Sequence, residues 1–213
     1  MICDTGNSEF GHDVTVVAAS RPFQVVLDFA TGSLTPFSAS FVRSLSDMAH
    51  AFEDQEAVAR VLESGDDPVI YRSNYPDIPD EAGHLAFLTT IISPGTVGSE
   101  FYMTKGHHHC RDSAELYMGL SGQGIMIMES HGGDFSQQEL VPSAPVYVPP
   151  GWAHRTVNTG SAPLTFLAAF FGDAGHDYSS MERKGGFSMR VHRGEDGPQL
   201  RRSATRDEAG APL

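Results

Sequence analysis

Cysteine is nearly absent from this chain: Cys3 and Cys110 are the only two in 213 residues, and no Cys-x-x-Cys pair occurs. A disulfide framework is therefore excluded. Positive charge is also scarce, with 14 Lys and Arg against 27 Asp and Glu and a formal net charge of -13. Such a protein repels the phosphates of nucleic acid at most contacts. A small anionic substrate stays open where a bound metal supplies local positive charge. No apolar stretch approaches the roughly 18 residues of a membrane span, and the start, Met1-Ile-Cys-Asp-Thr-Gly6, lacks a basic region followed by an apolar run. There is no Walker-type loop, so a phosphate would have to be held by other means. The expectation is a soluble, cytoplasmic protein without nucleic-acid or membrane partners, and 40% hydrophobic content suits one domain with ample core.

Residues 1–20 have a mixed pattern and read as an extension, 21–192 as the folded domain, and 193–213 as a polar, Gly/Pro-rich, flexible tail. One helix is readable near the start of the domain. Asp54 is placed to cap it, Ala57, Val58, Val61 and Leu62 form an apolar stripe at helical spacing, and Gly65 ends it. A further helical turn is expected within 44–51. From His84 onward short apolar runs dominate, at 85–92, 100–104, 114–120, 124–129, 146–148, 154–158, 164–171 and 187–192. Gly-rich turns such as Ser121-Gly-Gln-Gly124 separate them. Many short strands without intervening helices predict an all-β sandwich or barrel.

The chemistry concentrates in Gly106-His-His-His109, Glu115 and His154. Alternation along a strand turns His107 and His109 to one face and His108 to the other. Cys110-Arg-Asp-Ser113 can turn the chain back to Glu115, and Pro149-Pro-Gly151 is a tight turn before His154. Two hairpins can thus deliver three imidazoles and a carboxylate to one point. That donor set suits Fe(II), Mn, Ni or Zn and leaves positions open on the ion. His108, facing away, is expected to be structural or solvent-exposed.

Gly106-His-His-His109…Glu115…Gly122 resembles the first cupin motif, and Pro149-Pro-Gly-Trp-Ala-His154-Arg-Thr-Val-Asn158 resembles the second. Cupins are antiparallel jelly-roll barrels (the double-stranded β-helix), which agrees with the strand pattern. The likeness sharpens with Gly172-Asp-Ala-Gly-His176-Asp-Tyr178 and runs from about Phe23 to His192. It is to the cupin-type glucose-6-phosphate isomerases, first recognised in archaea.

That resemblance implies reversible isomerisation of glucose 6-phosphate and fructose 6-phosphate, a step of glycolysis and gluconeogenesis, by a homodimer with one divalent metal per subunit, Fe2+ foremost. His107, His109, Glu115 and His154 match the metal ligands, while Thr90, Thr104, Gly106, Tyr117, His176 and Tyr178 match positions lining the sugar-phosphate pocket. Of these, Glu115 is the candidate base for proton transfer through an enediolate, with His176 and Tyr178 assisting. A metal-assisted hydride shift fits the same residues. From spacing alone His176 and Tyr178 also suit the end of a strand, and Tyr117 suits core packing. Strict alternation sets Thr104 opposite His107, so both reach one pocket only if the strand bulges near Gly106.

Four departures from the family pattern stand out. Five residues rather than six separate His109 from Glu115, Phe170 replaces a Tyr, Ser143 replaces a Gly, and Lys184-Gly-Gly-Phe187 carries one residue more. A cupin Fe(II) dioxygenase and a non-enzymatic sugar-binding cupin are the competing functions. The dioxygenase has no use for the Thr90/Thr104 and His176/Tyr178 groups, and the sugar-binding protein would be expected to have lost a ligand.

Overall fold

The computed structural model describes residues 21–36 and 39–204, so the expected extension 1–20 lies outside the described residues. Alternating apolar runs pair as antiparallel strands in two sheets that form the barrel and a further four-stranded sheet of Gly197–Arg202, Met189–Gly194, Glu100–Phe101 and Thr96–Val97. The larger orders six strands as Pro145–Val148, Glu115–Ser121, Leu164–Phe171, Leu85–Ile92, Val69–Tyr75 and Ala39–Ser44. The smaller holds Phe135–Leu140, Gly124–Ser130 and Trp152–Asn158, and isolated bridges from Met103 and His107 continue it beyond Trp152–Asn158. Phe52, Phe166, Met126, Leu140, Leu164 and Ile92 are fully buried within the resulting jelly roll. It is the all-β cupin barrel.

Register sets which side chains face inward. Phe170 opposes both Glu115 and Ala86, Ala168 opposes Tyr117 and Leu88, and Phe166 opposes Gly119 and Thr90. Directly opposed residues share a face, so Glu115, Tyr117 and Thr90 all look into the barrel. The intervening residues Leu85, Leu116 and Phe171, with Tyr147 opposite Leu116, form an exposed apolar row on the outer face.

The readable helix spans Gln55–Glu63, and the Asp54 side chain accepts from the Ala57 N–H at 2.8 Å. The expected turn is a helix at Leu45–Met48 continued by a 3-10 turn at Ala49–Ala51. Two expectations need correction. A third helix, Tyr178–Arg183, starts from Asp177, whose carboxylate accepts from the Ser180 N–H at 3.0 Å. The stretch after His192 does not begin a flexible tail, because Gly197–Arg202 pairs along Met189–Gly194. Backbone pairing overrides its polar composition, since an edge strand needs few buried side chains. Residues 205–213 lie outside the described residues.

Candidate active site

His107 joins His154 as an antiparallel bridge, which hangs the histidine segment on the strand of the second motif. The pairing carries a slip. Met103 opposes Val157 and His107 opposes His154, four residues on one side against three on the other. One residue is therefore extra, in a bulge that includes Gly106 at φ 76°. A Cβ at Gly106 would lie 2.6 Å from Phe187 Cε2 and 3.0 Å from the His154 carbonyl, so a side chain has no room there. The close approach this glycine permits is to the protein's own backbone and Phe187.

The slip and the following turn gather His107, His109, Glu115 and His154, whose ligand atoms all lie within 4.8 Å of one another. Second partners fix the imidazole tautomers. His109 Nδ1 sits 2.9 Å from the Ser113 carbonyl, and His154 Nδ1 sits 3.2 Å from the Trp152 carbonyl. A carbonyl only accepts, so each Nδ1 carries its proton and leaves Nε2 as the nitrogen available to a cation. Both Nε2 atoms lie against Glu115 Oε2, at 3.0 Å and 2.9 Å, and although burial opposes the charge, Glu115 raises His109 above the ordinary imidazole range. The His154 pair is close without hydrogen-bond alignment, for its Nε2 is buried with no bonded partner, as is His107 Nε2.

Two imidazole nitrogens and a carboxylate oxygen crowded on one point need a proton or a cation between them. Bonds of about 2.1 Å at right angles separate neighbouring ligand atoms by about 3.0 Å, which matches the distances from Glu115 Oε2 to His109 and His154. These residues therefore fit a divalent cation. Burial alone would raise the Glu115 carboxyl, but His154 and His109 bring it down to about 2. It is ionised at neutral pH. Burial, reinforced by His176, His154 and His109, holds His107 well below the ordinary imidazole range.

The other expected residues occupy distinct positions. His176 pairs with His109 across a two-residue bridge, its ring 4.4 Å from His107 and 5.6 Å from Phe170. Burial brings it to about 4 despite Glu115, so it is a neutral imidazole. Tyr178 opens the third helix with its ring stacked on His176 at 6.0 Å. Neither ends a long strand. Tyr117 is 6% exposed, its ring 5.5 Å from His154 and 5.4 Å from Phe166, and burial with Glu115 nearby pushes its hydroxyl well above the usual range. Thr90 shares a 2.8 Å hydrogen bond with Ser73, and the Thr104 hydroxyl accepts from the Thr156 N–H at 3.1 Å.

His108 faces away from the other two but is not exposed. It is buried, its ring lies parallel to His131 at 4.1 Å, and its Nδ1 is 3.2 Å from the Ser180 hydroxyl in the third helix.

Sequence reasoning missed Lys105 and Arg155. Lys105 Nζ lies 4.6 Å over the Tyr178 ring and 3.0 Å from Glu182. Arg155 is 4% exposed; burial and Arg190 bring its guanidinium down to about 10, still charged at neutral pH. Each adjoins a motif residue, Gly106 or His154, but that adjacency does not reveal the contact between them.

The family model for glucose-6-phosphate isomerase (GPI) matches residues 42–208, most of the chain. The chain belongs to that family. Relatives named glucose-6-phosphate isomerase include those of Thermococcus litoralis, 47% identical over 78% of this chain and 86% of that one, and Pyrococcus furiosus, 45% identical over 78% and 87%. A bacterial relative from Sinorhizobium medicae is 32% identical over 80% of each chain. The His/Glu centre thus sits within the span the family shares. Among the described residues no helix is long and apolar enough to cross a membrane.

Proposed function

We propose that this glucose-6-phosphate isomerase family member interconverts glucose 6-phosphate and fructose 6-phosphate using one divalent cation per subunit held by His107, His109, Glu115 and His154. Fe2+ is the first choice, with Mn2+, Ni2+ or Zn2+ as alternatives. The observation that carries the metal is the convergence of two imidazole Nε2 atoms on one Glu115 oxygen at 3.0 and 2.9 Å, within a four-donor cluster where His107 Nε2 is buried without a partner. Family membership carries the substrate and favours the isomerase over a cupin dioxygenase or a non-enzymatic sugar binder.

Isomerisation moves hydrogen between C1 and C2 of the sugar. A divalent cation held by His107, His109, Glu115 and His154 would supply Lewis-acid stabilisation of the negative charge that develops as the hydrogen moves. Glu115, ionised and buried, accepts the proton and returns it. His176, neutral, and Tyr178, stacked on it, bind the sugar hydroxyls and assist ring opening. Thr90, Thr104, Gly106 and Tyr117 line the pocket, where Lys105 adds a cation suited to the phosphoryl group.

The apolar outer row of Leu85, Leu116, Tyr147 and Phe171 supports a homodimer; a light-scattering mass near the 23.0 kDa of one chain would contradict it. A cytoplasmic location belongs to the same reading. To test the activity, metal-free protein is given fructose 6-phosphate with Fe2+ or Mn2+ and the formation of glucose 6-phosphate is followed. Turnover should appear on adding metal and vanish with a chelator. Absence of turnover with every divalent cation, or turnover unaltered in His154→Ala, would sink it.

A further inference from the structure

Among the described residues, Arg155 is a buried cation without a carboxylate within ion-pair distance. Alternation from the ligand His154 sets its side chain on the opposite face of the strand. Its Nε and Nη2 both donate to the Lys105 carbonyl, at 3.2 and 2.6 Å, and its guanidinium carbon lies 4.8 Å over the Phe187 ring. Nη1 is buried and has no hydrogen-bond partner. Glu100 attracts this guanidinium from farther off, but Glu100 is already bonded to Arg190 at 2.7 Å, and Arg190 repels it. An apolar side chain of similar volume would fill this place at lower desolvation cost, so packing does not account for the charge.

The residue it grips does. The Lys105 carbonyl belongs to the slip between Met103 and His107, where the backbone leaves regular pairing. A two-donor fork on one carbonyl fixes that peptide where ladder hydrogen bonds cannot. The same peptide orients the Thr104–Gly106 backbone and carries Lys105, whose Nζ lies 4.6 Å over the Tyr178 ring and 3.0 Å from Glu182.

We propose that Arg155 is a positioning residue for the phosphoryl end of the substrate. It holds the Lys105–Gly106 bulge in place and adds a positive charge behind it, without touching the substrate. This rests on the sugar-phosphate reading above and adds to it a residue outside the ligand set.

The test uses the full chain with Arg155→Met and Arg155→Lys, and inorganic phosphate as the probe. Phosphate affinity is measured by calorimetry and as competitive inhibition against fructose 6-phosphate; Mn2+ affinity and thermal melting are measured alongside. Losing a charge-assisted two-donor contact predicts, for Arg155→Met, about a tenfold or greater weakening of phosphate binding and a matching rise in KM, with Mn2+ affinity within about twofold. Arg155→Lys keeps the charge but not the fork and should fall between. A purely structural prop for His154 would instead lower Mn2+ affinity and kcat with phosphate binding intact, which overturns the proposal. So does phosphate affinity unchanged in both variants, or no measurable affinity in the parent protein. Where Arg155→Met fails to fold, Arg155→Lys decides alone: phosphate affinity about threefold weaker at constant Mn2+ affinity supports it, and unchanged affinity overturns it. Should the parent protein turn over no sugar phosphate yet bind phosphate more tightly than Arg155→Met, the isomerase reading fails and this one stands.

Discussion

His109 donates from Nδ1 to the carbonyl of Ser113 at 2.9 Å, across the short loop that leads to Glu115. The loop thus orients one ligand while delivering the next, and its shortness is compatible with a closed centre. Each imidazole in the set has one ring nitrogen committed and the other aimed inward, or lies buried without a partner, as His107 Nε2 does. Deleting a ligand should therefore cost more than one bond. We expect His109→Ala to weaken Mn2+ binding by at least about 100-fold, beyond the 10–100-fold typical of residues that merely support ligands. Calorimetry on metal-free protein checks this.

Gly106→Ala tests the slip itself. The added methyl meets Phe187 and the His154 carbonyl at 2.6 and 3.0 Å, and the backbone sits at φ 76°. We expect a destabilisation of about 2 kcal/mol or more, read by denaturant unfolding, together with loss of metal affinity as His107 shifts.

Ser143 stands at φ 66°, left-handed, where the family pattern has a glycine. Ser143→Gly relieves a cost of about 1 kcal/mol, partly offset by the entropy of an added glycine. The expected outcome is a melting temperature raised by a few degrees with activity unchanged. A lowered melting temperature would show that the serine side chain contributes more than its backbone costs.

The buried histidines make the metal-free protein acid-sensitive in a definite window. Burial, with His131 stacked alongside, brings His108 to about 4 from an ordinary 6.5. Its folded value lies below its unfolded one, so between those two values the unfolded chain binds more protons. Stability is full above about pH 6.5 and declines as pH falls toward 4. His108→Gln should make the melting temperature depend less steeply on pH across that window. An unchanged slope would mean that His108 is not a source of the dependence.

Glu129 acts in the same direction, at lower pH. Burial opposes ionisation, but Lys184 and the Ser188 N–H hold the carboxyl below its usual value, and these contacts tie down the segment that ends at Phe187. Its stabilisation is present above the unfolded value near 4.5 and fades as pH falls through the lower folded value. Glu129→Gln should cost about 1–3 kcal/mol at neutral pH, and the gap from the parent protein should close in acid.

The strands at Leu85–Ile92 and Leu164–Phe171 were legible in sequence because they are long and apolar, and Asp54 announced its helix by capping chemistry. Phe135–Leu140 was not, because it is an edge strand whose Gln137, Gln138 and Glu139 are exposed and give no apolar alternation. The helix at Tyr178 was hidden by its brevity, although Asp177 is a cap of the same kind as Asp54. Motif spacing alone pointed to the four converging residues. Arg155 and Lys105 stayed invisible because their roles depend on a slip between two strands distant in sequence, which no local pattern records.

Strand parity is binary, and the extra residue between Met103 and His107 sets it for the whole histidine run. Removing one residue there would exchange inside for outside, turning His107 and His109 toward the third helix and His108 inward. Because the run is three identical side chains, the centre would then still receive one imidazole rather than none. A single deletion would convert a four-donor centre to a three-donor one, a ready route from a tightly held ion to an exchangeable one.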